Sequence, residues 1–436
     1  MKEQKSRVWN MRRWFSSLWT TVRHRVHRDV EAATEPIDFS APSIPYYTGL
    51  ANRFALARVL LYVILFVFLI VTIVFNTKLI TYQNLYYLFK DINAAALTAE
   101  TPSDYIGYPV STIEPSFALY RNGLVVVGGE EVTALSASGK QTLSDRVSYA
   151  SPCVRSSDAY FITFGRGESS FRVYNAFVRV YAEETAYPIY DACIAEGGNF
   201  AVVTRAREYK SEVTMYNRDM QKVSSYRTTR YVTGISLSPN GDRLVAVSVG
   251  MENGTAYSNI QVIKSGKAEA DADVRVPDTV LYRCAFLTSD RFVAMGDTGA
   301  WIYDTNGRCV AELDMGGEQV TLGTADTQNE RVAFLTQNAG EFSENNLKIF
   351  DKNGNLVHTI PVRSDTDVLE LSWQDHVAYL RTADEVICVS VRDGQIRRLQ
   401  IPANVYAVEI LKDGSILVCT PSHAYRPEAE NWVMDS

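Results

Sequence analysis

The stretch "LKIFDKNGNLVHTI" (Leu347–Ile360) reads as two apolar runs joined by Asp-Lys-Asn-Gly, and "WIYDTNGRCVAEL" (Trp301–Leu313) repeats the pattern with Asp-Thr-Asn-Gly. Asp at the first position of a turn and Gly at the fourth are the marks of a type I turn whose glycine takes the left-handed conformation that closes a hairpin. Looser copies stand in "VTALSASGKQTL" (Val132–Leu143), "VTMYNRDMQKV" (Val213–Val223), "IQVIKSGKAEA" (Ile260–Ala270) and "VICVSVRDGQIRRL" (Val386–Leu399). "FRVYNAFVRVY" (Phe171–Tyr181) is a further copy without a clear turn residue.

A second hairpin precedes these, as in "CIAEGGNFAVVT" (Cys193–Thr204), "SLSPNGDRLVAVS" (Ser236–Ser248), "AFLTSDRFVAM" (Ala285–Met295) and "EILKDGSILVC" (Glu409–Cys419). Two hairpins make a four-stranded unit. Units begin near Phe117, Tyr149, Ile189, Val232, Val280, Val320, Val368 and Val405, a period of about forty residues, which is the mark of β-propeller blades. The expected fold is all-β with eight four-stranded blades, or seven if the weakly marked second unit is irregular. The last unit supplies two or three strands. Its missing outer strand is expected from "DYIGYPVST" (Asp104–Thr112), which would leave the ring without an open edge.

The chain has 436 residues and a net charge of −7, divided unevenly. Residues 1–58 carry ten Lys/Arg against five Asp/Glu, and residues 79–436 carry 32 against 45. An acidic body repels phosphate backbones, so nucleic acid is not an expected partner. Between the two sections "VLLYVILFVFLIVTIVF" (Val59–Phe75) has no charge and shows no polar face. It is read as one transmembrane helix over residues 55–77, an uncleaved anchor, since no small-x-small cleavage site follows it. The basic side marks the N-terminus as cytoplasmic and the acidic body as extracytoplasmic.

The flanking segments divide further. Residues 1–33 place Val8, Met11, Phe15, Leu18, Val22 and Val26 on one helical stripe, with Arg12, Arg13, Arg23, Arg25 and Arg28 as cations. This is either an amphipathic helix lying in an anionic leaflet or a basic tail that enforces topology. Residues 34–54 contain three prolines and read as an extended linker, and residues 78–100 as a juxtamembrane stalk helix. The propeller is expected over 104–426, followed by a C-terminal tail at 427–436.

"SPNGDRLVAVS" (Ser238–Ser248) resembles the strand-turn-strand phrase of WD40-like and quinoprotein-like propellers. The layout as a whole is similar to the single-pass, membrane-anchored β-propeller proteins of Gram-positive bacteria. That resemblance implies a module of the cell envelope. The Gly-His and Trp-Asp pairs of WD40 repeats are absent, and Trp301, Trp373 and Trp432 are too few for the docking motif of quinoprotein blades, so no cofactor is expected.

Catalytic motifs are not found. His358, His376 and His423 fall in different units without metal-ligand spacing, and "GRGESS" (Gly165–Ser170) lacks the Gly-Lys-Ser/Thr ending of a phosphate loop. The Asp-x-Asn-Gly turns lack the further carboxylates of a calcium loop. "EADAD" (Glu269–Asp273) reads as a solvated linker, and Asn253 begins a glycosylation sequon relevant only to a eukaryotic secretory route. Six cysteines, Cys153, Cys193, Cys284, Cys309, Cys388 and Cys419, follow the apolar run. They are read as small packing residues where blades converge, with disulfides as the alternative.

In a propeller the b–c and d–a connections share one face. Three b–c connections are long, "TRAREYKSE" (Thr204–Glu212), "SVGMENGTAYSN" (Ser248–Asn259) and "TQNAGEFSENN" (Thr336–Asn346), which marks that face as a binding surface. The candidate residues are Arg205, Arg207, Tyr209, Glu252, Tyr257, Phe342 and Glu344. The expected function is a non-enzymatic, membrane-tethered binding or scaffolding module for a protein or glycan. The alternatives are an enzyme of glycan-lyase or quinoprotein type, which would need carboxylates and Arg or His at the central channel, and a transmembrane sensor.

Overall fold

The computed structural model describes residues 44–75, 103–338, 344–374, 376–411 and 413–434. The expected cytoplasmic segment 1–33 and stalk 78–100 lie outside them. The chain divides into two units, 1–89 and 90–436.

In the first unit one helix, α1 (Ile44–Phe75), runs through the apolar stretch and extends eleven residues N-terminal of the expected span. Residues 44–54, expected as extended linker, are therefore helical. Pro45 lies in the first helical turn, where its missing N–H has no intrahelical partner to lose. The side chains of α1 described are those of residues 51 and 53–68. Among the described residues no helix is long and apolar enough to cross a membrane.

The second unit is an eight-bladed β-propeller of antiparallel sheets. Blades 1 to 7 take their strands in chain order, a to d, starting at Ser116, Pro152, Ile189, Tyr231, Leu281, Gln319 and Glu370. Blade 8 is composite. Ala407–Ile410, Ile416–Cys419 and His423–Tyr425 supply strands a to c, and Tyr105–Gly107 from the other end supplies the fourth. Tyr105 pairs with Tyr425, Ile106 with Ala424 and Gly107 with His423. Tyr108 Oη donates to the Thr420 carbonyl at 2.6 Å, and the Tyr105 ring stacks on His423 with centroids 4.9 Å apart. The expected C-terminal tail is partly structured: Val433–Met434 pairs with Arg397 and Arg398 as a fifth strand on blade 7.

Period-two alternation gives every blade two apolar faces, and each face packs on the next blade. The core is accordingly split into eight clusters, one for each pair of neighbours. Phe171, Phe200 and Tyr216 fill the seam between blades 2 and 3. Ile106, Leu124, Leu417 and Ala424 fill the seam between blades 8 and 1, so the closing strand is part of the core. All six cysteines are free thiols; Cys153, Cys284, Cys388 and Cys419 are buried in these seams, Cys193 is half-buried and Cys309 is exposed.

The two Asp-x-Asn-Gly stretches form the same c–d turn. Asp351 Oδ1 accepts from the backbone N–H of Asn353 at 2.8 Å and of Asn355 at 2.9 Å, and Gly354 takes φ +85°. In blade 5, Asp304 Oδ1 accepts from Asn306 and Arg308 at 2.9 Å each, with Gly307 at φ +80°. Burial alone would raise both carboxyls, but these donors outweigh it and hold them below the ordinary range. The carboxylate is thus committed to its own turn. Replacing Asp351 by Ala should cost about 1–2 kcal/mol in urea denaturation, because two N–H groups lose a charged acceptor. Asn at the same position keeps an acceptor and should cost clearly less; equal losses would contradict the assignment.

Candidate functional site

The b–c connection of blade 4, expected as a loop over Ser248–Asn259, is strand throughout except for its turn. Strands Arg243–Glu252 and Thr255–Lys264 pair continuously, ending at Glu252 opposite Thr255. Asn253 and Gly254 lie at φ +50° and +84°, as a two-residue type I′ turn requires. Strand a pairs no further than Val249 and strand d no further than Tyr257, so residues 250–256 run beyond the sheet as a two-stranded ribbon. Met251 at its tip is 74% exposed.

Two of the candidate residues meet on this ribbon. Tyr257 lies opposite Gly250, where a β-carbon would stand 2.7 Å from the ring, so the absence of a side chain lets the ring cover the backbone. The Arg275 guanidinium sits 4.0 Å above that ring and also pairs with Glu252. Arg230, from the connection between blades 3 and 4, lies 5.9 Å from the same ring and 3.6 Å from Asp273. Behind them Asn259 and Gln261 donate to Asp273 at 2.6 and 3.1 Å. Sequence reasoning missed Arg230, Asp273 and Arg275, which come from the d–a connection and from strand d rather than from the b–c connection.

The remaining candidates are dispersed. Arg205, Arg207 and Tyr209 are exposed on the loop between Thr204 and Ser211. Glu344, in blade 6, pairs with Arg363 at 3.3 Å. Phe342 lies outside the described residues.

The first strands, which face one another around the axis, carry charge that sequence reasoning did not single out. Arg155 Nη2 lies 3.2 Å from Asp191 Oδ1, joining blades 2 and 3. Arg283, in blade 5, donates from Nη1 to the Gly323 carbonyl of blade 6 at 3.0 Å. On blades 7 and 8, Glu370 pairs with Arg381 at 2.9 Å, while Glu409 has no hydrogen bond or cation among the described residues. Among the described residues no group of three His, Cys, Asp or Glu side chains is placed to hold a metal ion.

Burial, and then the Glu370 carboxylate beside it, push Glu409 up to about 7. Its folded-state pKa therefore exceeds the unfolded one. The folded protein keeps the proton longer, so stability falls as pH rises from the ordinary carboxylate range through about 7. Glu409→Gln should flatten the melting-temperature decline between about pH 5 and about pH 7.5 and leave the variant more stable than wild type at the upper end. Parallel curves for the two proteins would contradict the burial of an unpaired carboxylate.

Comparison with known proteins agrees with the architecture. Sqt1 of Chaetomium thermophilum, solved bound to the N-terminus of a ribosomal protein, superposes with a TM-score of 0.51 at 13% identity, covering 74% of this chain and 98% of that one. A eukaryotic initiation factor gives 0.50 at 11% identity, covering 75% and 85%. The C-terminal WD40 domain of Sif2 gives 0.47 at 11% identity, covering 60% and 75%. At such identities the likeness is one of fold alone. No curated protein matches the sequence. A family model matches residues 108–408, from the residue after the closing strand to strand a of blade 8, and the chain belongs to that family, the family of unknown function DUF5711.

Proposed function

We propose that this chain is a non-enzymatic, membrane-tethered binding module of a bacterial, Gram-positive cell envelope, with its b–c face turned to a protein or glycan partner. The observation that carries the recognition reading is the blade 4 ribbon. A two-stranded ribbon beyond its sheet gains little from its own burial, and Met251 at its tip, 74% exposed, offers an apolar contact to a partner. Tyr257, Arg275 and Glu252 are already held together there, so little ordering cost remains for binding. Aromatic and Arg side chains are the common anchors of interfaces.

The tethering reading rests on sequence and on one property of α1. Except for half-buried Ala55 and Val59, its described apolar side chains are exposed, from Phe54 at 68% to Phe68 at 69%, as suits a helix with lipid around it. The Lys/Arg bias, with ten before the apolar run and only Lys78 and Lys90 in the thirty residues after it, supports an extracytoplasmic propeller.

The charged first strands favour a second reading, in which chemistry takes place at the axis. Arg155, Asp191, Arg283, Glu370 and Glu409 are the residue types a glycan lyase would use there. No nucleophile–base pair accompanies them among the described hydrogen bonds, and the binding reading is preferred.

The test uses the full chain in its membrane. Crosslinking and recovery of partners from intact cells should lose its principal product when Tyr257 and Arg275 are replaced by Ala, while Lys140→Ala, in the exposed c–d turn of blade 1, changes nothing. In the same cells a membrane-impermeant maleimide should label exposed Cys309 without permeabilisation. Unchanged recovery would end the b–c face reading, and labelling only after permeabilisation would end the topology.

A further inference from the structure

On the face that carries the a–b and c–d turns, arginines that open strand b staple one blade to the next. Arg243, first in strand b of blade 4, donates from Nη1 to the Thr305 carbonyl in the c–d turn of blade 5 at 3.4 Å. Arg291 stands at the same place in blade 5 and donates to the Lys352 carbonyl of blade 6 at 3.0 Å and to the Asn353 side chain. Both carbonyls belong to the residue after the turn aspartate, Asp304 or Asp351. Arg331 opens strand b of blade 6, and in blade 7 Ser390 takes the place of those aspartates, opposite the first residue of its strand b. The equivalent staple would therefore run from Arg331 to Val391. Among the described residues the Arg331 side chain makes no such bond.

At this unstapled seam the face opens into a cleft of about 430 Å³. One wall is the a–b turn of blade 6, with Asp326, Thr327, Gln328 and Asn329; the other is the end of strand a of blade 7, with Trp373 and Gln374. Both walls are held in place. Asp326 Oδ1 accepts from the backbone N–H of Gln328 at 2.8 Å and of Asn329 at 3.2 Å, and its Oδ2 accepts from the Asn329 side chain at 2.7 Å. Across the cleft the Gln374 amide, oriented to donate, reaches the Ile410 and Leu411 carbonyls of blade 8 at 3.0 and 3.2 Å. Trp373 is half-buried, packed on the core between blades 6 and 7 while it lines the cleft.

The lining selects against charge. It holds no Lys, Arg or His among the described residues, so it has nothing to neutralise an anion. Its one carboxylate already accepts three hydrogen bonds within its own turn, which leaves little to attract a cation. What is left is an indole beside the Thr327 hydroxyl and the Gln328 and Asn329 amides, groups that offer donors and acceptors side by side. A sugar ring is the complement of that set, with an apolar C–H face and a rim of hydroxyls that both donate and accept. We propose that the cleft between blades 6 and 7 binds a neutral saccharide, its ring laid against Trp373 and its hydroxyls turned to Thr327, Gln328 and Asn329. The volume falls within the roughly 300–1,000 Å³ of small-molecule sites, and fixed walls keep the ordering cost of binding low. This site lies on the face opposite the blade 4 ribbon and does not rest on recognition there.

Ligand-observed saturation-transfer NMR on the full chain, in a detergent without a sugar headgroup, tests the site. The probes are glucose, N-acetylglucosamine and the β-1,4-linked disaccharide of each, with choline and inorganic phosphate as charged comparisons. Saturable binding of at least one saccharide is expected, with the strongest transfer to its ring C–H protons. Trp373→Ala should weaken it about tenfold or more, and Gln328→Ala about threefold. Tyr257→Ala should leave it unchanged. If Trp373→Ala does not fold, Gln328→Ala and Thr327→Ala, both at exposed positions, carry the comparison. Absence of saturable binding by every saccharide, unchanged affinity in the cleft variants, or tighter binding of choline or phosphate would overturn the assignment.

Discussion

Each blade of this protein is apolar on both faces, and that constraint governs the rest of the structure. A four-stranded sheet with two buried faces cannot be stable alone, because whichever face is left open exposes Val, Ile, Leu and Phe side chains to water. Neighbours solve the problem for each other, and only a closed ring solves it for the last blade. The eight inter-blade clusters record that solution. The closing strand at Tyr105–Gly107 is short, yet Ile106 is only 2% exposed and lies in the seam shared by blades 8 and 1. Losing it would open an edge and uncover a core at once.

Packing of this kind leaves two places free to vary. One is the inner edge of the blades, where the first strands carry charged side chains such as Arg155, Asp191, Arg283 and Glu370. The other is the b–c face, where the blade 4 ribbon runs beyond its sheet. On the opposite side the c–d turns are committed to their own hydrogen bonds, as Asp304 and Asp351 show, and have little chemistry to spare. The division between a conservative c–d side and an elaborated b–c side follows from where the backbone is already satisfied.

The blade count was legible because period and turn chemistry agreed: Asp-x-Asn-Gly marks the c–d hairpin, and the intervals near forty residues mark the repeat. The closing strand was legible from the short final unit. The blade 4 ribbon differs from the loop expected over Ser248–Asn259 because Asn253-Gly254 is a two-residue hairpin turn, which lets strand continue on both sides of it. Three prolines favour an extended segment, but Pro36 and Pro42 precede the helix and Pro45 stands in its first turn, where it is harmless, so residues 44–54 are helical. The axial charges could not have been found by spacing. Arg155 and Asp191 stand 36 residues apart and are brought to 3.2 Å only by the packing of blade 2 on blade 3. Arg275 was hidden for a similar reason, since cross-strand neighbours depend on register.

Ring closure by the strand before blade 1 is the claim on which both the axis and the rim depend, and native-state hydrogen exchange reads it directly. The account predicts that the amides of Tyr105–Gly107 and of His423–Tyr425 exchange slowly and together, at the rate of global unfolding, as partners in one core sheet should. Fast exchange at Tyr105–Gly107, independent of a protected His423–Tyr425, would show an open ring and contradict it.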